Sequence, residues 1–181
     1  MKATLTILQQ DIKRLRNFIQ GIELHVNLST CDPQKIQDTT TKEKLKEYQD
    51  FYASIKTEKA ILDYTTIIVN LYSAFETFIE GTIMGYLSEL NRIVPSFEEL
   101  PEKIKNNHNS LSAQLLLNLK LQKFHGTITE KAIIENLHSC VGNPGLASYV
   151  LNVLAFTAHN SNFRVGSINE FFSYIPCLLV V

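Results

Sequence analysis

One short segment near the C-terminus carries an unusual density of side chains that can do chemistry. His159, Asn160, Ser161, Asn162 and Arg164 place an imidazole, two amides, a hydroxyl and a guanidinium within six residues. A histidine can move a proton near neutral pH, and an arginine presents a planar set of donors that fits a phosphate. This combination suits phosphodiester chemistry, with His159 as general acid or base and Arg164 stabilising phosphate charge.

The same segment also has a purely structural interpretation. In it, the asparagines cap or turn the backbone, His159 packs against Phe156, and Arg164 forms an ion pair with an acidic residue. Positions five apart on an unbroken helix point about 140° away from each other, so His159 and Arg164 converge only if the segment bends. The asparagines and Gly166 favour such a bend. Both interpretations stay open at this point.

Motifs of the familiar enzyme classes do not occur in the sequence. It contains no glycine-rich phosphate loop, no G-x-S-x-G elbow and no HExxH zinc helix. His138 and Cys140 are two residues apart, and a helix turns such a pair by about 200°, which places them poorly as joint metal ligands. His25, His108 and His125 stand alone and are predicted to be ordinary surface histidines. We expect neither a metal ion nor a cofactor.

The composition indicates one soluble, predominantly α-helical domain. The chain has 181 residues, 45% of them hydrophobic and 19% charged, with only seven glycines and five prolines. The formal charge of 17 − 18 = −1 gives no global basic field for nucleic acid. The three cysteines, Cys31, Cys140 and Cys177, form no CxxC motif, which gives no indication of a disulfide framework or a zinc site. No apolar segment has the length of a signal peptide or a membrane span, so a cytoplasmic location is expected.

Hydrophobic periodicity predicts two long helices in the first half of the chain. Apolar residues recur every three or four positions over about residues 3–28, and a loop with turn chemistry follows over residues 29–41. A very long helix is predicted between Lys42 and Val94, and Pro95 ends it. Its second half is apolar on more than one face, which indicates packing on several sides.

Shorter helices are predicted in the second half. Ser96 to Glu99 matches a capping box that opens a third helix, with Asn106, Asn107 and Asn109 as an expected interruption. A second capping box, Thr127 to Glu130, opens a helix that continues to about His138. A loop is expected over residues 142–145, and a last short helix from Ser167.

Four segments of the chain read LYSAFETFIEGTIMGYL, LPEKIK, TITEKAIIENLHSCVGNP and AFTAHNSNFRVGSINEFF. Together they resemble the HEPN superfamily, and most closely its prokaryotic branch found near restriction and abortive-infection systems. The resemblance runs from about Ala60 to Phe172 within a single domain of residues 1–181. Residues 1–59 are a helical lead-in, and residues 173–181 are an apolar tail that packs in the core, joins a partner or marks a truncated reading frame.

The resemblance implies an all-α helical bundle around a long central helix, often homodimeric, and in many members a metal-independent endoribonuclease. The usual active-site pattern of the superfamily is an arginine followed four to six residues later by a histidine. Here the order is reversed, with His159 first and Arg164 five residues later. The branch carries a histidine–asparagine–arginine pattern at this point, which assigns substrate positioning to Asn162. Glu76 falls where the branch favours an acid, which implies that it orients His159 or Arg164; the alternative is a carboxylate on the helix surface with no such role.

Three functions remain as hypotheses. The first is a HEPN-type endoribonuclease that acts as a toxin or phage-defence effector on an RNA substrate, as a homodimer, with an antitoxin or restriction-system partner and no membrane contact. The second is a non-catalytic HEPN module for dimerisation or for binding nucleic acid or a nucleotide. The third is a purely structural helical interaction domain.

Overall fold

Four α-helices make up most of the computed structural model, which describes residues 2–120, 126, 128–141 and 149–158. The helices are α1 (Lys2–Thr30), α2 (Thr39–Ile93), α3 (Glu102–Asn118) and α4 (Glu130–Val141). Short 3-10 turns lie at Pro33–Lys35, Phe97–Glu99 and Val153–Phe156. These described ranges contain no β-strand, and the predicted all-α class is confirmed.

Helix α2 is 55 residues long, and a capping residue at its start and a proline after its end set its boundaries. The Asp38 carboxylate accepts hydrogen bonds from the Thr41 backbone N–H at 2.7 Å and from the Thr41 hydroxyl, which satisfies free donors of the first turn. The same bonds hold the pKa of Asp38 below its ordinary value. At the other end, Pro95 lacks a backbone donor, and the helix stops at Ile93. The predicted long helix is therefore confirmed.

Two local predictions for the second half of the chain are wrong. The Ser96 hydroxyl bonds the Glu99 carboxylate at 3.2 Å and caps no backbone group, so the expected capping box is not formed. The asparagines do not interrupt α3, because the Asn107 side chain bonds the Lys103 carbonyl of its own helix at 2.7 Å. Thr129 caps α4, since its hydroxyl accepts from the Ala132 N–H at 3.2 Å.

Other predicted elements lie outside the described residues. They are Thr127 of the second capping box, the loop at residues 142–145, the last helix from Ser167 and the apolar tail at residues 173–181.

Contacts divide the chain into two compact units, with the boundary inside α2 between Phe78 and Ile79. The N-terminal unit is a hairpin of α1 and the first part of α2. Its side chains bond across the turn: the Tyr48 hydroxyl lies 3.0 Å from His25 Nδ1, and the Gln49 amide donates to the Cys31 carbonyl at 2.6 Å. No residue of α1 is fully buried. The hairpin thus has no enclosed core of its own.

The second unit begins at Ile79 and encloses an apolar core. The buried side chains come from the end of α2, from α3, from α4 and from the segment after it: Ile79, Ile83, Leu87, Ile104, Leu111, Leu115, Ile133, Leu151 and Phe156. On α2 they recur every four positions, and on α3 they do so every three or four once the buried His108 is included, as one face of an amphipathic helix requires. Among the described helices, none combines the length and apolar character needed to cross a bilayer.

Candidate functional site

The sequence-predicted catalytic residues fall at the edge of what the structure describes. His159, Asn162 and Arg164 lie outside the described residues. Glu76 lies on α2 and is half-buried. The expected relation of Glu76 to His159 and Arg164 therefore stays a prediction.

The chain that leads to His159 is firmly held. We call residues 149–158 the anchor segment, because its last residue, Ala158, directly precedes His159 in the sequence. Within it, Leu151, Asn152, Ala155 and Phe156 are all buried. The segment packs on α3 and α4, so its position is fixed by the core of the C-terminal unit.

Asn152 is the centre of a buried hydrogen-bond network. Its side-chain amide donates to the Ser112 hydroxyl at 3.0 Å and to the Ile133 carbonyl at 3.1 Å. Its carbonyl oxygen accepts from the Asn136 amide at 2.9 Å. The side chain thereby joins the anchor segment to α3 and α4 at once. A fully bonded buried amide of this kind allows little freedom in position, because any shift breaks bonds that water cannot replace.

His108 of α3 holds the backbone of the same residue. Its Nε2 accepts the Asn152 N–H at 3.0 Å, and its ring packs between Phe97 and Phe156, with centroids 5.7 and 6.3 Å away. The side chain is completely buried. A neutral imidazole has one nitrogen that accepts and one that carries the proton. Because Nε2 accepts here, the proton is on Nδ1, which has no hydrogen-bond partner among the described residues.

The electrostatics of this site keep the imidazole neutral. Burial lowers the pKa of His108, because the charged ring would lose its hydration, and a side-chain contact with Asn109 acts more weakly in the opposite direction. A charged ring would also carry a proton on Nε2 and could no longer accept from Asn152. The bond that fixes the anchor segment therefore requires neutral His108.

Further bonds tie the start of the anchor segment to α2 and α4. The Leu151 N–H donates to the Asn91 side chain at 2.8 Å, and the Tyr149 hydroxyl reaches the Leu90 carbonyl at 3.5 Å. The Val150 N–H donates to the Ser139 hydroxyl at 2.9 Å. Burial raises the pKa of Tyr149, so its hydroxyl stays protonated and able to donate. Three helices of one unit consequently fix this segment.

The prediction that His108 is a surface histidine is wrong, and the network around it was missed. A signal for the burial was present, since Ile104, His108, Leu111 and Leu115 share the spacing of one helix face. Apolar neighbours on that face indicate that His108 points into the core. No local sequence pattern indicated that Asn152 bonds His108, because the two residues are 44 positions apart in the chain.

We predict that the protein loses stability as the pH falls from about 7 towards 5.5. The folded pKa of His108 is lowered from its ordinary 6.5. In that window the unfolded chain therefore takes up a proton that the folded chain does not, which favours unfolding. Urea midpoints at the two pH values measure the effect. His108→Gln, whose amide oxygen can still accept from Asn152, should show a smaller difference between them. An equal difference in both proteins would assign the acid sensitivity to other groups.

The described residues offer no second site with catalytic or metal-binding character. They contain no group of three or more histidine, cysteine, aspartate or glutamate side chains that could hold a metal ion. A groove of about 300 Å³ lies between α1 and α2 in the N-terminal hairpin, and it includes Arg14. That guanidinium already pairs with Asp11 at 3.0 Å. The C-terminal anchor segment, directly before His159, remains the candidate site.

Comparison with known proteins gives one family assignment. The family described as RiboL-PSP-HEPN matches residues 37–175, which is about three quarters of the chain. The matched range includes α2, α3, α4, the anchor segment and the whole cluster from His159 to Arg164. Neither the curated proteins nor the solved structures contain a significant match.

Proposed function

Since this chain belongs to the RiboL-PSP-HEPN family of the HEPN superfamily, we propose that it is a metal-independent endoribonuclease. The observation that carries the proposal is the buried anchor at Asn152, which fixes the backbone leading directly to His159. A catalytic histidine needs such support, because a small misplacement of a reacting group costs a large part of the rate. The family match and the chemical content of residues 159–164 support the assignment further.

In the proposed reaction, the ribose 2′-hydroxyl is the nucleophile. His159 removes its proton while the 2′-oxygen forms a bond to phosphorus, and the bond from phosphorus to the 5′-oxygen breaks. Arg164 stabilises the additional negative charge on the phosphate, and Asn162 positions the substrate. The proton that His159 has taken up then passes to the leaving 5′-oxygen, directly or by exchange through water. The products are a 2′,3′-cyclic phosphate and a free 5′-hydroxyl, and Glu76 serves to orient His159 or Arg164.

The biological role that fits this activity is that of a toxin or phage-defence effector. RNA is then the substrate, and a second copy of the chain together with an antitoxin or restriction-system protein are the expected partners. An endoribonuclease of this kind needs control by a partner, because unrestrained cleavage of cellular RNA harms the cell that makes it.

The order of His159 and Arg164 in the sequence favours a second candidate function. His159 precedes Arg164, whereas the usual superfamily pattern has the arginine first. A chain with this reversal fits a non-catalytic module that binds nucleic acid or a nucleotide. Such a module binds RNA without shortening it, so a binding assay run beside a cleavage assay separates the two functions.

The test of the proposed function uses matched RNA and DNA oligonucleotides in the presence of a chelator. The purified protein should cut the RNA at an unchanged rate when the chelator is added, because His159 and Arg164 supply the chemistry. It should leave the DNA intact, because DNA lacks the 2′-hydroxyl. Loss of cutting on chelation, or equal cutting of DNA, would contradict the mechanism.

A further inference from the structure

The N-terminal helix α1 carries a local excess of positive charge. Residues 2–20 contain one acidic side chain, Asp11, and four basic ones: Lys2, Lys13, Arg14 and Arg16. This stretch has a formal charge of +3, so the rest of the chain carries −4 of the total of −1. The other helix of the hairpin differs, because residues 42–63 of α2 contain five lysines and five acidic residues. The excess therefore belongs to α1, which lies outside the residues that the family match covers.

The basic residues lie on the side of α1 that is turned away from α2. The half-buried Leu8, Leu15 and Ile22 recur every seven residues and mark the side that packs on α2. At about 100° per residue, we call the exposed positions within about 80° of the opposite direction the outer face. Over residues 2–20 its members are Lys2, Ala3, Thr6, Gln9, Gln10, Lys13, Arg14, Arg16, Asn17 and Gln20. The exposed apolar residues of this stretch lie on the flanks: Leu5, Ile7, Ile12 and Phe18. The outer face thus combines basic and amide side chains and contains no acidic residue.

Most of these basic groups have no acidic neighbour to neutralise them. Among the described residues, Lys2, Lys13 and Arg16 take part in no ion pair. Arg14 pairs with Asp11 through one guanidinium nitrogen at 3.0 Å, and its side chain is still 77% exposed. The Asp11 side chain is only 28% exposed and offsets the charge of Arg14 alone. The outer face therefore presents positive charge to an anionic partner.

The groove between α1 and α2 adjoins the outer face at Arg14 and has a lining suited to a nucleic-acid base. Its volume is about 300 Å³, and Phe18 lines it from α1. That ring is 40% exposed, so a base can stack on it. From α2, the lining includes an amide and two hydroxyls that can bond a base edge: Asn70, Thr66 and Ser73. Sites for phosphates and for a base consequently meet at Arg14.

We propose that the outer face of α1 and this groove bind single-stranded RNA, with phosphates on the basic residues and one base on Phe18. The inference rests on the proposed function in taking RNA as the ligand. From Lys2 to Arg16 the helix extends over about 21 Å, a length on which a nucleic-acid strand presents several phosphates. The amides of the outer face can donate to phosphate and sugar oxygens. A lipid bilayer fits this surface less well, because a helix that binds a bilayer turns an apolar face towards it, and the apolar face of α1 packs on α2.

Fluorescence anisotropy of the full chain with a short labelled 2′-O-methyl RNA measures this binding without cleavage, since the blocked 2′-oxygen cannot act as a nucleophile. Lys13→Gln with Arg16→Gln should weaken binding roughly 20-fold at about 100 mM salt. The slope of log affinity against log salt should become shallower by about 1.4, because each phosphate contact to a single strand contributes about 0.7. Glutamine is a good helix former, so the circular dichroism should be retained. The matched control, Lys44→Gln with Lys56→Gln, removes two exposed charges from α2 and should keep the wild-type affinity and slope.

Substitutions in the groove separate the base contact from the charge. Phe18→Ala should weaken binding roughly 10-fold without a change in salt slope, because stacking releases no counterions. Phe51→Ala, which removes an exposed ring from α2, should bind as the wild type does. Asp11→Asn should tighten binding roughly 3-fold, because it leaves the whole charge of Arg14 to the phosphate. Unchanged or weaker binding by Asp11→Asn would contradict the assigned surface.

Three results would overturn the proposal. They are a wild type that does not bind this RNA at micromolar concentration, an α1 glutamine variant with the wild-type salt slope, and an equal loss of affinity in the α2 control. Vesicles that contain phosphatidylserine are the second probe, and an α1 variant that loses vesicle binding but keeps RNA binding would assign the surface to a membrane instead.

Ordinary RNA distinguishes a failure of this inference from a failure of the proposed function. Binding through α1 without any cleavage would contradict the nuclease and support the surface. Cleavage with an unchanged KM in the α1 glutamine variant would contradict the surface alone.

Discussion

Replacing His159 or Arg164 with alanine is expected to lower the rate of RNA cleavage by roughly 10²- to 10⁴-fold while the helical circular dichroism stays unchanged. Without His159, no side chain in the cluster can accept the 2′-hydroxyl proton near neutral pH. Without Arg164, the additional charge on the phosphate loses its guanidinium. Each loss is expected to act on the chemical step.

The matched controls are exposed residues of the same types. His138→Ala on α4 and Arg92→Ala at the end of α2 should cut RNA at the wild-type rate, because both side chains lie on the surface. Among the described residues, Arg92 forms a surface ion pair with Glu89, which contributes little to stability. Cleavage that continues unchanged in His159→Ala and Arg164→Ala would show that the chemistry lies at other residues.

Replacing Asn152 with alanine is expected to lower the free energy of unfolding by about 3 kcal/mol. The substitution leaves the Ser112 hydroxyl, the Ile133 carbonyl and the Asn136 amide without the partner they have in the wild type. Since Asn152 is almost completely buried, water does not readily replace those bonds. This is a large fraction of the stability of an ordinary domain.

Chemical denaturation followed by circular dichroism measures this loss, and a second asparagine serves as control. Asn106 lies on the exposed face of α3, and within the part of the chain that the structure describes its side chain makes one long hydrogen bond, of 3.5 Å to Glu102. Asn106→Ala should therefore change the unfolding free energy by less than about 0.5 kcal/mol. Equal losses in the two variants would mean that the network around Asn152 does not hold the anchor segment.

The helices of the first half were predictable because local rules and tertiary packing agree there. The three- and four-residue spacing of apolar positions in α1 and α2 is a local signal, and Pro95 removes a backbone donor wherever it occurs. Neither depends on distant parts of the chain. The confirmed HEPN resemblance likewise rested on sequence segments that lie within the matched range.

Helix boundaries in the second half were less predictable, because some polar side chains can form either a capping bond at a helix end or another hydrogen bond nearby. Ser96 has the hydroxyl that a capping box needs, but it bonds the Glu99 carboxylate instead of the backbone. Asn107 belongs to a residue type that often ends helices, yet its amide bonds a carbonyl within α3 and the helix continues. Such choices are decided by energies of a few tenths of a kcal/mol, roughly the differences in helix propensity.

The buried anchor could be predicted only in part. The burial of His108 follows from the apolar residues on its helix face, whereas its bond to Asn152 depends on how α3 and the anchor segment meet in space. Sequence periodicity describes one helix or strand at a time and does not indicate how two segments of the chain pack against each other. The catalytic assignments of His159, Asn162, Arg164 and Glu76 remain predictions from the chemistry of their side chains and from the family resemblance.

The end groups of the cleavage products test the central proposal most directly. A short RNA is incubated with the wild-type protein in the presence of a chelator, and the fragments are analysed by mass spectrometry. Direct attack by the 2′-hydroxyl predicts a 2′,3′-cyclic phosphate on the upstream fragment and a 5′-hydroxyl on the downstream one. Fragments with a 3′-hydroxyl and a 5′-phosphate, or an RNA that stays intact while bound to the protein, would contradict the account of a metal-independent endoribonuclease.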